Sequence, residues 1–234
     1  MPAAVERHSP EEIHPSIWRA SQLARRNGRS IATGYASLSA ELSGGVWPLG
    51  ALIEFLPQCS GVGELRLLQP ALSSLRKRPI GLIAPTHPLN GPGLGSTGLP
   101  LAFVVQARAP KMADKLWAAE QMLAAGSFGA LVLWLQQVPH ASLRRLHLAA
   151  QSSETLFAVV RPETAALATS PATLRLGLRP IKEGLAIDIL KRLNPVAAKR
   201  LTITTQSPML YSRHRRVCVL MPITAQADEA AVEA

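Results

Sequence analysis

The chain has 234 residues, 47% of them hydrophobic and 17% charged, which suits one folded core with arms and excludes a wholly disordered chain. Its net charge is +10, and because the stretch from Pro222 onward carries three acids and no base, the first 221 residues hold a net +13. Such a balance favours polyanionic partners, DNA first, although a merely basic surface carries the same sign.

No apolar run approaches the ~20 residues that a membrane helix needs, so no membrane partner is expected. The opening MPAAVERHSPEEIHP has no apolar segment and does not read as a signal peptide. Cys59 and Cys218 match no metal or redox spacing, which leaves a reducing cytoplasm as the expected setting.

Residues 1–30 read as an N-terminal helical arm. Pro15 can open a helix, Ile17, Ala20, Leu23 and Ala24 share a face, and Asn27-Gly28 ends it. Residues 31–192 read as the core. Within it, 51–56 (ALIEFL) is a buried strand, Gly61-Val62-Gly63 a turn, and 64–76 a helix. Leu65, Leu68, Leu72 and Leu75 would lie on one side of that helix, and Pro70 would kink it. A second strand is expected at 80–84 (IGLIA). Four glycines and four prolines make 85–100 a loop, and 103–106 is a short strand. The clearest helix is 111–125, where Met112, Leu116, Ala119 and Leu123 recur at helical spacing before Gly126. Strand 130–135, helix 142–151 and strand 155–160 follow. This alternation predicts an α/β fold with a mainly parallel twisted sheet and helices on both faces.

The pattern then changes to alternation at 172–178 and 185–189, read as an antiparallel hairpin at the sheet edge. Residues 201–205 and 216–221 are candidate further strands. Residues 193–221 form a basic C-terminal extension, and 222–234 an acidic tail expected to be disordered.

The order of strand, Gly-rich turn and helix is that of a phosphate-binding loop. A working loop needs glycines to wrap phosphate, a Lys against its charge and a hydroxyl on Mg²⁺. Here the turn offers Gly61 and Gly63, then Glu64 where a cation should be, and Arg66 two residues on. The strand 130–135 ends in Trp134-Leu135-Gln136-Gln137, without the Asp that would orient a metal. No metal or cofactor site is therefore expected. His140 and His147 could share a helix face, but no Cys or acid completes a set of ligands.

Ile31-Ala-Thr-Gly34, the following ASLSAEL, Gly44-Gly45, and Pro48-Leu-Gly50 before ALIEF resemble the entry to the core of the RecA recombinase family, and the likeness runs over roughly 31–191. It implies a RecA-like, P-loop NTPase-type core with a degenerate site. That family's catalytic Glu falls at Ala84-Pro85-Thr86-His87, where no carboxylate stands. GGVWPLGALIE, GVGELRLLQPAL, ADKLWAAEQML, LRRLHLAA and PATLRLGLRP with ILKR resemble more narrowly the ImuA family of SOS mutagenesis proteins. This resemblance implies a non-catalytic accessory factor of error-prone translesion DNA synthesis. Its implied partners are an ImuB-like Y-family polymerase homologue, RecA, and, indirectly, an error-prone replicative polymerase alpha subunit. Some relatives carry the label of the division inhibitor SulA, so a SulA-like inhibitor of cell division in the SOS response is the alternative.

RecA-type DNA loops are not expected. There is no room for the first between Trp134 and Val160, and the second place, 161–171, is short and holds one base, Arg161. Nonspecific DNA or partner contact is instead assigned to Arg144, Arg145, Lys199, Arg200, Arg213, Arg215 and Arg216. Trp47, Trp117 and Trp134 read as core or interface anchors. Trp47, in a Gly-Gly-Val-Trp-Pro-Leu-Gly turn, is the best candidate for a surface partner contact.

Overall fold

The computed structural model describes residues 30–75, 77–96, 98–99, 101–182, 184–192 and 200–204. The elements expected at 1–29, 216–221 and 222–234 lie outside the described residues. The described strands are β1 (Ser30–Ala32), β2 (Val46–Pro48), β3 (Ala51–Pro57), β4 (Ile80–Ile83), β5 (Val104–Ala107), β6 (Ala130–Trp134), β7 (Leu156–Val160), β8 (Leu174–Ile181), β9 (Gly184–Lys191) and β10 (Arg200–Thr204). The helices are α1 (Ala36–Glu41), α2 (Glu64–Ser74), α3 (Gly91–Ser96), α4 (Met112–Ala124) and α5 (His140–Gln151).

Strands β3 to β10 form one eight-stranded sheet in the order β10-β9-β8-β3-β7-β6-β4-β5. Pairing is parallel from β8 through β5 and antiparallel for β8–β9 and β9–β10. The chain is thus a mixed α/β fold with a mainly parallel sheet and an antiparallel edge, as the alternation of apolar runs and helices predicts. The central strands are apolar on both faces because helices cover both. On one side Ile53, Phe55, Leu82 and Val132 pack with Leu38 of α1 and Leu67, Leu68 and Leu72 of α2. On the other, Leu52, Leu131, Leu133 and Phe157 pack with Ala119 and Leu123 of α4 and Leu143 and Leu146 of α5.

Several local expectations change. The segment 85–100 contains the short helix α3, and Phe103 ends a 3-10 turn rather than starting β5. Helix α2 ends at Ser74, two residues early. It buries Glu64, Leu67, Leu68, Ala71 and Leu72, while Leu65 and Leu75 are only partly buried. Trp47 is not at the surface. It lies on β2, paired with Ile31 of β1, is 0% exposed, and meets Phe55 edge-on at 5.9 Å. The β1–β2 pairing turns the indole inward.

Helix α2 continues through Pro70, which in a helix interior ordinarily costs about 3 kcal/mol by removing one N–H and crowding the previous turn. The N–H that Pro70 lacks would have served the Arg66 carbonyl. The Tyr35 hydroxyl donates to that carbonyl instead, at 3.0 Å. Gly34, at φ +82°, allows the approach: a Cβ there would stand 2.2 Å from the Pro70 Cβ. The Thr33-Gly34-Tyr35 turn is therefore fitted to the proline.

Tyr35→Phe should cost about 1–2 kcal/mol in urea unfolding, since a half-buried carbonyl loses its donor. Burial holds the Tyr35 phenol above its ordinary value, with the Arg66 charge opposing. A raised phenol favours the protonated folded state. Its contribution is full below about pH 10 and fades as pH rises through the folded value, a fade that Tyr35→Phe should lack.

Candidate functional site

The carboxyl ends of β3, β4, β6 and β7 open at one edge of the sheet, where parallel α/β folds take ligands. Between β3 and α2 the turn uses left-handed backbone at Gly61 (φ +78°) and Gly63 (φ +117°). Gly63 is the N-cap of α2 and Glu64 its first residue.

Glu64 is only 6% exposed. Its Oε2 accepts a hydrogen bond from the Gly63 N–H at 3.2 Å, and its Oε1 accepts one from Trp134 Nε1 at 3.2 Å. Trp134, at the end of β6, is 5% exposed. The start of α2 and the end of β6 are therefore joined to each other. The N-terminal end of a helix, with its directed N–H groups, is the place a phosphate would occupy. Here the chain's own carboxylate faces it. Arg66 is half-buried, and its backbone carbonyl is the acceptor for Tyr35. Thr86 and His87, in the segment after β4, are exposed.

The structure separates the cations grouped by sequence. Arg144 and Arg145 are exposed on α5, with Arg145 bound to Glu120 of α4 at 2.7 Å. Arg200, on β10, makes a two-point pair with Asp188 of β9 at 2.7 and 3.1 Å. That hydrogen bond, before the Coulomb attraction of Arg200 and Arg179, holds the Asp188 carboxyl below its ordinary range. Lys199, Arg213, Arg215 and Arg216 lie outside the described residues. Other clustered arginines serve the fold. Arg78 donates to the carbonyls of Gly126, Ser127 and Glu154, and Arg192 to Glu41. Arg161, the one base of the segment 161–171, is 6% exposed and bonded to Glu54.

That bond belongs to a buried cluster not anticipated from sequence. Glu54 of β3 is 0% exposed. Its Oε1 accepts from Arg161 Nη1 at 2.8 Å and its Oε2 from Arg175 Nε at 2.6 Å. Arg175 also donates to the carbonyls of Ala165 and Ala166, so the cluster fixes the 3-10 turn Glu163–Leu167 over the sheet end. The available signal was a carboxylate inside the apolar run ALIEFLP, which demands a buried counter-charge. The sequence could not say which arginine supplies it.

Exposed large apolar side chains include Trp117 of α4 (64%) and Leu148 of α5 (55%). Trp117, unlike Trp47, is thus exposed. Among the described residues no three His, Cys, Asp or Glu side chains gather as metal ligands, and no helix is long and apolar enough to cross a membrane.

No protein-family model matches this chain, and no curated protein matches it. Among solved structures it is similar to the crystal structure of SulA from Pseudomonas aeruginosa. The identity is 26% over 47% of this chain and 97% of that one, at a TM-score of 0.39.

Proposed function

We propose that the chain is a non-catalytic, RecA-like accessory protein of SOS-induced error-prone translesion DNA synthesis. It works as an adaptor. It binds an ImuB-type Y-family polymerase homologue and RecA, reaches the error-prone replicative polymerase through them, and contacts DNA through basic surface. The family assignment rests on the sequence motifs from GGVWPLGALIE to ILKR.

The observation that carries the non-catalytic reading is the Glu64 carboxylate, held by the Gly63 N–H and Trp134 Nε1 at the helix start. A nucleotide phosphate arriving there meets a buried negative charge and finds the Gly63 donor engaged. No Lys or metal-orienting Asp offsets that repulsion. The adaptor surface is the pair α4–α5, where Trp117 and Leu148 are exposed beside Arg144. Exposed Trp is a frequent anchor of interfaces.

The test is recovery of a purified ImuB homologue by the tagged full chain. Trp117→Ala should weaken recovery at least about tenfold, or ~1.4 kcal/mol, while its melting temperature stays unchanged. Equal recovery would remove Trp117 from the interface. DNA-stimulated ATP hydrolysis that depends on Glu64 or Arg66 would overturn the non-catalytic reading. Filamentous cells on overproduction, without effect on damage-induced mutation, would favour the division inhibitor instead.

A further inference from the structure

A hollow of about 590 Å³ lies at the carboxyl ends of β4, β5 and β6, next to the degenerate turn, to which its Trp134 is hydrogen-bonded. The strand register builds it. Ile83 pairs with both Ala107 and Leu133, so Ala84 and Arg108 leave the sheet beside Trp134, the last residue of β6. Ala84 takes φ +50°, a left-handed conformation rare for a residue with a side chain. Its N–H still reaches the Ala107 carbonyl at 2.9 Å. Strain of that kind gathers at ligand sites.

The lining has a consistent chemistry. Arg108 and Lys115 bring positive charge, Gln106 and Gln136 bring amides, and Pro85, Pro88 and Pro110 bring apolar surface. No carboxylate lines it among the described residues. Arg145, Arg161, Arg175, Arg179, Arg192 and Arg200 all hold acids. The side chains of Arg108 and Lys115, by contrast, have no hydrogen bond or ion pair with any described residue. The volume falls in the range of small-ligand clefts and far exceeds a bare phosphate.

We propose that this hollow binds one nucleotide unit. Its phosphate lies on Arg108 and Lys115, its base on the apolar floor, and the two glutamine amides meet polar base edges. The unit is either a free nucleotide or one residue of a single strand. This deepens the adaptor reading by placing a nucleic-acid contact on the core. It is measured on the purified chain alone, so its failure leaves the polymerase-binding test standing.

The experiment is fluorescence anisotropy of the full chain with a labelled oligothymidylate of about eight nucleotides. The double variant Arg108→Gln, Lys115→Gln should bind at least tenfold more weakly. Across about 50 to 200 mM salt its log–log slope should be shallower by about 1.4, as expected for two lost phosphate contacts on a single strand. Lys182→Gln, which removes an exposed charge on the β8–β9 turn, should bind within about twofold of the parent. Displacement by thymidine monophosphate supports a free nucleotide as source, and displacement only by unlabelled oligomer supports a strand. The proposal is overturned if the double variant binds like the parent, if Lys182→Gln loses as much, if polyglutamate displaces the probe as well as oligomer, or if no probe binds.

Discussion

Glu54→Gln should destabilise the fold by about 3–5 kcal/mol, the usual cost of stripping one partner from a buried charge cluster. Gln keeps the shape but not the charge. Arg161 and Arg175, 6% and 7% exposed, would then face each other across β3 with no anion between them. Native stabilities run to only about 5–15 kcal/mol, so this one change removes a large share. In a chain of this size each kcal/mol lowers the melting temperature by roughly 2–4 °C, which thermal and urea melts will resolve. Replacing Glu54, Arg161 and Arg175 together with apolar residues of similar volume should cost far less. Both the desolvation and the imbalance disappear with the charges. A Glu54→Gln midpoint near that of the parent would refute the charged cluster.

Gly34→Ala should follow at about 3 kcal/mol. Part is the left-handed backbone, φ +82°, worth about 1–2 kcal/mol against a side chain. The remainder is collision with Pro70, whose Cβ and Cγ lie 2.2 and 2.6 Å from the new methyl group, an overpacking cost of about 1–3 kcal/mol. Pro70→Gly in the same chain should recover the collision share and leave the backbone share. A double-mutant cycle on the two positions should therefore be non-additive by about 1–3 kcal/mol. Strict additivity would mean that the turn at Thr33 does not rest on the proline.

These two sites show where sequence reading stops. The sheet was legible because β3, β4, β6 and β7 are apolar runs bounded by turns, and α4 because its apolar residues recur at helical spacing. The pair β8–β9 was legible from alternation, since Leu174, Leu176 and Leu178 share a buried face with Leu185 and Ile187. The ends β1, α1 and β2 were not, because three-residue strands carry too little pattern. Helix α3 is built from Gly, Pro and Ser against their propensities, and no local rule would propose it. The buried face of α2 differs from the one its leucines suggest, because Glu64 turns inward to Trp134. Trp47 was misplaced for a related reason: its glycine-rich surroundings suggest exposure, but pairing with β1 decides it.

At the candidate site, Glu64 and Trp134 were legible as residue types. Their bond to each other was not. A carboxylate hydrogen-bonded to an indole 70 residues away leaves no trace in either segment. The cations behave alike: their positions can be read, but their acid partners depend on strand order. Arg108 and Lys115 carry no signal in sequence because they stand seven residues apart. Only the register of β4 with β5 and β6 gathers the hollow around them.

The Glu54 cluster also bears on the order in which the chain assembles. Its two bonds join residues 107 and 121 positions apart, across three parallel strands. Closing such long loops precedes any reward from the contacts, so sheets of this kind fold slowly. The ion cluster needs β7, β3 and β8 in place, so it is expected to follow the rate-limiting encounter, and Glu54→Gln should speed unfolding while refolding rates change little. Interactions made that late act on the lifetime of the native state rather than on the speed of reaching it. Glu54 thus works as a latch, holding closed a sheet whose assembly it does little to hasten.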